Sequence, residues 1–255
     1  MSSQFASDSG SKRAERLRMF AQPLVVVVLV AAVLGWAFSQ NNDEITLRSL
    51  NLTNIVQLTW THFLISLAVA VVVVLVAVPL GVLLSRSWAS AVSPFVIGVA
   101  NIGQAAPSVG LLVLFFLFTG GETGFWIAAG PIAFYALLPV LRNTIVGLQQ
   151  VDRSLIDAGR GVGMSGTGVL LRIELPLAEP YVLAGLLTAL VLAVGTATLA
   201  LFVGAGGLGE LIDTGYKLND YTVMIVGSVL AMALALLVDW LGAMAETYLS
   251  PRGLR

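Results

Sequence analysis

The chain has 255 residues, of which 58% are apolar and 11% charged, and its formal net charge is −1 at pH 7. A soluble domain is about half apolar and a quarter charged. Residues 49–151 carry formal charge only at Arg86, Glu122 and Arg142. This composition excludes a water-soluble fold, and the absence of cysteine excludes disulfides, Cys-ligated metal sites and thiol nucleophiles. No basic patch is large enough to bind nucleic acid.

Six apolar segments approach the roughly 20 residues that a helical bilayer crossing needs. The first is short and follows a basic segment at residues 12–18, which is also typical of a signal peptide. Because no good cleavage site follows Phe38, we expect an uncleaved first transmembrane helix. The sequence predicts an all-α polytopic membrane protein. Its predicted spans are Pro23–Phe38, His62–Leu84, Pro94–Phe118, Gly124–Leu141, Ala178–Val203 and Tyr221–Trp240.

The positive charges predict how these spans are oriented. With the N-terminus inside, eleven of the 13 Lys and Arg residues lie on the inner side, and Arg48 and Lys217 lie outside. Lys and Arg favour cytoplasmic loops, and Trp favours the membrane interfaces. We therefore expect a multi-pass protein of the plasma membrane, in contact with its lipids, with both termini cytoplasmic. The tryptophans fall near span ends: Trp36, Trp60 and Trp126 outside, Trp88 and Trp240 inside.

This threading divides the chain into four parts. We expect residues 1–20 to form a cytoplasmic tail and residues 21–60 to form the first transmembrane helix with an outer loop. Residues 61–248 form the main transmembrane domain, and residues 249–255 form a second cytoplasmic tail. The main domain contains the one sizeable cytoplasmic feature, a loop at residues 150–177.

The cytoplasmic loop has the composition of a helix–turn–helix. Asp152 is suited to cap a first short helix, and Gly163 to supply a sharp change of direction. A second short helix is predicted from Ser165 or Thr167 to Ile173. We expect Pro176 to end that helix and Pro180 to begin the fifth span. The small residues of the loop favour close approach by another protein, although a plain polar linker is the alternative. These residues are Ala158, Gly159, Gly161 and Gly163.

The spacing within this loop resembles a known pattern. Asp157-Ala158-Gly159, Gly163 and Ile173-Glu174-Leu175-Pro176 keep every interval of the "EAA, three residues, G, nine residues, I-x-L-P" loop of the permease subunits of ABC importers. Asp157 replaces the usual Glu, and Gly159 replaces the second Ala. The resemblance implies a type I ABC importer permease (MetI-like) fold. It also implies that the loop docks onto the ATPase subunit through Asp157, Ala158, Gly159, Gly163, Met164, Ile173, Leu175 and Pro176.

Further strings are similar to the osmoprotectant branch of these permeases, which imports substrates such as glycine betaine, carnitine or choline. They are Pro79-Leu80-Gly81, Ala106-Pro107-Ser108, Leu137-Leu138-Pro139-Val140-Leu141-Arg142-Asn143-Thr144, Gly195-Thr196-Ala197-Thr198-Leu199-Ala200 and Gly204-Ala205-Gly206-Gly207-Leu208-Gly209. The methionine-importer branch shares part of the last string, so methionine is the alternative substrate.

The resemblance also implies partners. These are an ABC ATPase dimer, an extracellular substrate-binding protein, and a second permease subunit that is the same or a related chain. There is no Walker A string, so we expect a transport subunit that is not itself an enzyme. It would bind no cofactor, and ATP and Mg²⁺ would be used by the ATPase.

Polar groups within the spans are candidates for a translocation pathway. Asn101, Gln104 and Ser108 are spaced i, i+3 and i+7, on one face of a continuous helix. Thr188 and Thr196 lie eight apart on the fifth span. Such groups line a pore or bond neighbouring helices, and the sequence leaves both interpretations open. No charge lies in the middle of a span, which disfavours an ion-coupled secondary carrier. A quaternary ammonium substrate is suited to aromatic rings, with Tyr135, Phe115 and Phe116 as candidates.

Two other features predict structure rather than chemistry. Gly204, Gly206 and Gly209 match a dinucleotide fingerprint, but this motif needs a preceding strand, and here it follows a predicted membrane helix. We expect a tight turn at the outer surface. His62 is the only histidine and has no paired acid, so we expect it to lie at the outer interface without a metal or catalytic role.

Overall fold

The computed structural model describes residues 2–249, and the side chains of residues 21–246. All regular structure in this part of the chain is helical, which confirms the predicted fold class. The expected C-terminal tail after Leu249 lies outside the described residues. The helices are α1 (Ser2–Ser39), α2 (Glu44–Ser49), α3 (Leu52–Leu84), α4 (Ser93–Ala105), α5 (Ser108–Phe118), α6 (Phe125–Gln149), α7 (Arg153–Gly161), α8 (Gly166–Val169), α9 (Leu175–Ala197), α10 (Gly209–Leu218) and α11 (Tyr221–Leu249).

Five helical segments of the described chain are long and apolar enough to cross a bilayer, and a bent pair of helices adds a sixth. The pair is α4 and α5, whose axes meet at 104°. Pro107 has no N–H to continue the helix, and Ala106 before it is extended (φ −67°, ψ 144°). The predicted third span is thus a broken helix. The five segments are Ala21–Ser39, Leu52–Leu84, Phe125–Gln149, Gly166–Val203 and Tyr221–Glu246.

Helix α6 is packed between α3 and α9, and glycines allow the close contacts. A Cβ on Gly81 of α3 would lie 2.8 Å from the Cβ of Thr144. A Cβ on Gly185 of α9 would lie 2.9 Å from the carbonyl oxygen of Pro139. Membrane helices associate through such backbone approach, because lipid supplies no hydrophobic driving force between them. These three helices form the centre of the domain.

The first and last helices pack together at the edge of this centre. The side-chain amide of Gln22 on α1 donates to the carbonyl oxygen of Leu236 and to Oδ2 of Asp239, both at 3.0 Å. Further along, Val33 and Ala37 of α1 are buried in a cluster with residues of α11 such as Val226. The first apolar segment is therefore an integral helix of the bundle.

The Gly-rich loop at residues 204–209 is a series of tight turns, as predicted. Gly204, Gly206 and Gly207 have φ of 66°, 82° and 94°, which side chains rarely adopt. The loop covers the ring of His62, whose Nδ1 accepts the backbone N–H of Leu208 at 3.2 Å. The side chain of His62 is buried beside this loop and is 0% exposed. The loop encloses it within the protein.

Candidate docking loop and polar groups of the membrane domain

The loop at residues 150–177 begins with a capped helix. Oδ1 of Asp152 accepts the backbone N–H of Ser154 at 2.8 Å and caps α7, as predicted. This hydrogen bond favours the charged form of the carboxyl group and so lowers the pKa of Asp152 below its usual value. The cap satisfies a donor that has no partner within the helix. Asp152 therefore fixes where α7 begins.

The helix ends in a Schellman turn at Gly163. The N–H of Gly163 donates to Arg160 O at 2.9 Å, and the N–H of Met164 donates to Gly159 O at 3.0 Å. Gly163 has φ +87°, the left-handed conformation that this turn requires. The predicted change of direction is confirmed.

The second arm of the loop, the return segment at residues 165–174, does not end where the sequence predicts. Oγ of Ser165 accepts the N–H of Gly168 at 3.1 Å and caps α8, as expected. The chain then continues through a π-helical segment, Leu170–Glu174, directly into α9. Pro176 lies in the first turn of α9 and Pro180 lies inside it. The expectations that Pro176 ends a helix and that Pro180 begins the fifth span were both wrong.

The π-helical segment explains how the helix passes Pro176. The N–H of Leu175 donates to Leu170 O, five residues back. A proline ring clashes with the carbonyl four residues back in a regular α-helix. One wider turn just before Pro176 opens the space for its ring. The part of the loop after Ser165 and α9 consequently belong to one continuous helical segment, Gly166–Val203.

Gly159 makes the contact between the two arms of the loop. It is buried, and a Cβ there would lie 2.6 Å from Cδ1 of Ile173 and 3.4 Å from both Sδ of Met164 and Cγ2 of Val169. The missing side chain thus lets α7 pack against the return segment. The expectation that Gly159 allows approach by another protein was wrong for this residue.

The outward surface of the loop carries large apolar side chains that the motif did not indicate. Val162 is 81% exposed, Leu171 59% and Leu155 46%. Leu155 and Val162 are seven residues apart, so helical spacing places them on one face and was the available signal. Of the predicted docking residues, Asp157, Ala158, Gly163 and Pro176 are exposed, Met164, Ile173 and Leu175 are half-buried, and Gly159 is buried.

An ion pair anchors the loop and was also missed from the sequence. Nη2 of Arg86 lies 2.6 Å from Oε2 of Glu174, and its Nη1 lies 3.2 Å from Oε1. Glu174 is the unspecified position of the I-x-L-P string. Their opposite charges were the only hint in the sequence.

The candidate pathway residues on α4 and α5 do not share one helix face. Ser108 begins α5, beyond the 104° bend, whereas Asn101 and Gln104 lie on α4. The spacing i, i+3 and i+7 gives a common face only on a continuous helix, so the prediction was wrong for Ser108. All three are half-buried, and Oδ1 of Asn101 accepts a hydrogen bond from Arg142 on α6 at 2.8 Å.

The candidates on α9 also differ from each other. The hydroxyl of Thr188 donates to Ala184 O at 3.0 Å, and that of Thr196 to Leu192 O at 2.7 Å. Thr188 is exposed, whereas Thr196 is 8% exposed. Tyr135 on α6 is half-buried.

The described chain thus combines a helical membrane domain with an internally braced helix–turn–helix between α6 and α9. Residues 77–249 match the family described as binding-protein-dependent transport system inner membrane component. The match covers well over half of the chain, and the chain belongs to this family. It is therefore a permease of an ABC importer.

Curated relatives and solved structures agree with this membership. The chain is 40% identical to the choline transport system permease protein OpuBB of Bacillus subtilis, over 77% of this chain and 89% of that protein. It is 38% identical to the glycine betaine/carnitine/choline transport system permease protein OpuCB of the same organism, over 84% and 97%. A chain of an inward-facing MetNI methionine ABC transporter structure is similar with a TM-score of 0.67 and 25% identity, over 77% of this chain and 96% of that one.

Proposed function

We propose that this chain is the transmembrane channel subunit of an ATP-driven importer for osmoprotectants such as glycine betaine, carnitine or choline. The two curated relatives named for these substrates are 38% and 40% identical to it over most of their length. The methionine transporter chain is 25% identical. This difference supports the osmoprotectant branch over methionine.

The observation that carries the mechanism is the braced geometry of residues 150–177. Caps at Asp152 and Ser165, the Schellman turn at Gly163 and the close contact at Gly159 brace the loop through its own residues. The loop nevertheless exposes the apolar side chains of Leu155, Val162 and Leu171. Exposed apolar side chains on a rigid polar element favour a protein interface. We infer that this surface docks an ABC ATPase dimer.

The remaining partners follow from the same assignment. An extracellular binding protein delivers the substrate, and a second permease, the same or a related chain, completes the channel. The ATPase uses ATP and Mg²⁺, and this chain contributes no catalytic site. Both termini are cytoplasmic, with residues 1–20 and 249–255 as inner tails and residues 21–60 as the first transmembrane helix and outer loop. This orientation places the loop at 150–177 on the side where ATP is available.

Docking is tested with a pair of proline variants. Gly163→Pro removes the N–H that donates a hydrogen bond to Arg160 O, and proline cannot adopt the φ of +87° found at this position. Gly166→Pro is the matched control, because Gly166 is the first residue of α8, follows an extended Ser165, and has no atom within 4 Å of the place that a Cβ would take. Gly163→Pro is expected to remain in the membrane without co-purifying the ATPase, and Gly166→Pro to retain it. Equal ATPase recovery in both variants would refute docking through this loop.

The substrate class is tested by uptake in cells that lack other importers. Radiolabelled glycine betaine, carnitine or choline is expected to accumulate only when this chain, its ATPase and its binding protein are all present. Uptake of methionine would move the chain to the sister branch. Uptake that persists after ATP depletion would favour an ion-coupled carrier.

A further inference from the structure

The ion pair between Arg86 and Glu174 is buried on its acidic side. The Glu174 side chain is 6% exposed and that of Arg86 is 31% exposed. Both carboxylate oxygens accept from the two terminal nitrogens of the guanidinium group, at 2.6 and 3.2 Å. Such a two-point contact fixes direction as well as distance.

The pair joins elements that are distant in sequence. Arg86 lies in the turn just after α3, and Glu174 lies 88 residues later, at the end of the docking loop. The two other ion pairs among the described side chains each join residues four apart in one short helix. They are Arg48–Glu44 and Lys217–Asp213.

The backbone of the loop directs Glu174 towards Arg86. Glu174 is the last residue of the π-helical segment that precedes Pro176. A wider turn contains an extra residue and changes the direction of the side chains that follow it. π-Helical turns of this kind are frequent at functional sites. The π-helical segment thus ends at the residue whose carboxylate contacts Arg86.

We propose that Arg86 and Glu174 are positioning residues that make the docking loop and the inner end of α3 move as one body. The loop is covalently continuous with α9 and is connected to α6 through Gln150 and Val151. The ion pair adds α3, the third helix of the central packing. A displacement of the loop is thereby transmitted to all three helices. This inference rests on the proposed docking of the ATPase to the loop.

The choice of variants follows from the burial of Glu174. Neutralising one partner leaves the other charge unpaired, which destabilises a protein strongly, whereas neutralising both removes the unpaired charge. We therefore compare Arg86→Gln, Glu174→Gln and the double variant. Arg86→Lys keeps the charge but loses the two-point geometry. The control is the double variant Lys217→Gln with Asp213→Asn, which removes an ion pair at the outer face.

The measurement is the number of substrate molecules imported per ATP hydrolysed by the complete complex in proteoliposomes, with ATPase co-purification recorded for each variant. Both single variants and the double variant are expected to retain the ATPase. Each is also expected to lower this ratio about fivefold or more, because coupling between two sites typically changes an equilibrium by a factor of at least about five. Arg86→Lys is expected to be intermediate, and the outer-face control to match the unmodified complex.

Two outcomes of the double variant would overturn the inference. A normal ratio in the double variant would mean that the single variants suffer only from an unpaired charge. Failure of the double variant to fold would assign the pair a purely structural role. If a single variant does not accumulate, the double variant decides. Absence of the ATPase from the unmodified complex would instead refute the proposed docking, which separates the two failures.

Discussion

Nε2 of His62 lies 2.9 Å from the carbonyl oxygen of Val194, so the only histidine of the chain connects α3 to α9. Because Nδ1 of the same ring accepts the N–H of Leu208, the proton is on Nε2 and is donated to Val194. One buried ring thus satisfies two backbone groups from separate segments. The outer loop is fixed to the helical bundle at this point.

This relationship predicts a marked loss of stability in His62→Leu. The substitution leaves the Val194 carbonyl and the Leu208 N–H without partners in the interior. Each unpaired group lowers the free energy of unfolding by about 1–3 kcal/mol. We expect a lower unfolding temperature in lipid nanodiscs. His62→Gln retains a donor for the Val194 carbonyl, so we expect a smaller decrease in its unfolding temperature. An unchanged unfolding temperature in His62→Leu would argue against this structural role.

Gly159→Leu is expected to disrupt the docking loop, whereas Gly161→Leu is not. The new side chain at position 159 enters the space held by Ile173, Met164 and Val169, and overpacking of this kind costs about 1–3 kcal/mol. Gly161 lies on the same helix, and a Cβ there would have no atom within 4 Å. Limited proteolysis of the loop in the purified complex measures the difference. Equal protease resistance of the two variants would contradict the packing assigned to Gly159.

Asp152→Ala is expected to raise the rate of amide hydrogen exchange in residues 153–161. Asp152→Asn is expected to leave this rate close to that of the unmodified protein. Asn caps a helix about as well as Asp, whereas Ala does not. The pKa of Asp152 is lowered in the folded chain, so its stabilising contribution is present above the usual carboxyl pKa and is lost only as pH falls through the lowered value. Exchange protection is therefore expected to be independent of pH between about pH 8 and pH 5. Protection that declines within this range would exclude Asp152 as the source of the cap.

Cysteine labelling tests the inferred orientation without interference, because the chain contains no cysteine. Asn41 and Thr167 are both exposed, on the outer loop and the docking loop. An impermeant maleimide is expected to label Asn41→Cys in intact cells, and Thr167→Cys only after the membrane is opened. Labelling of Thr167→Cys in intact cells would reverse the topology.

Gln104→Leu is expected to slow substrate import while the complex still assembles and hydrolyses ATP at its basal rate. Gln104 is half-buried on α4, close in sequence to the break at Pro107, where carbonyl groups are freed for a polar path. Gln149→Leu, an exposed change at the end of α6, is the control. Loss of assembly in Gln104→Leu would assign this residue to helix packing instead.

Local features were predictable from the sequence because they depend on neighbouring residues. The apolar segments indicated the crossing helices, since their length and composition are sufficient. The caps at Asp152 and Ser165 and the turn at Gly163 were found because a capping side chain or a positive φ acts within about four residues. The family spacing then indicated the class of protein.

Features that join distant segments were decided only by the tertiary structure. The burial of His62 depends on a loop 146 residues away, and the partner of Glu174 lies 88 residues before it. The face on which Ser108 lies depends on the 104° bend between α4 and α5, which periodicity along a single helix does not contain. The sequence by itself determined which segments are helical and where the loop turns. Packing determined which side chains meet, because that depends on helices brought together across the whole chain.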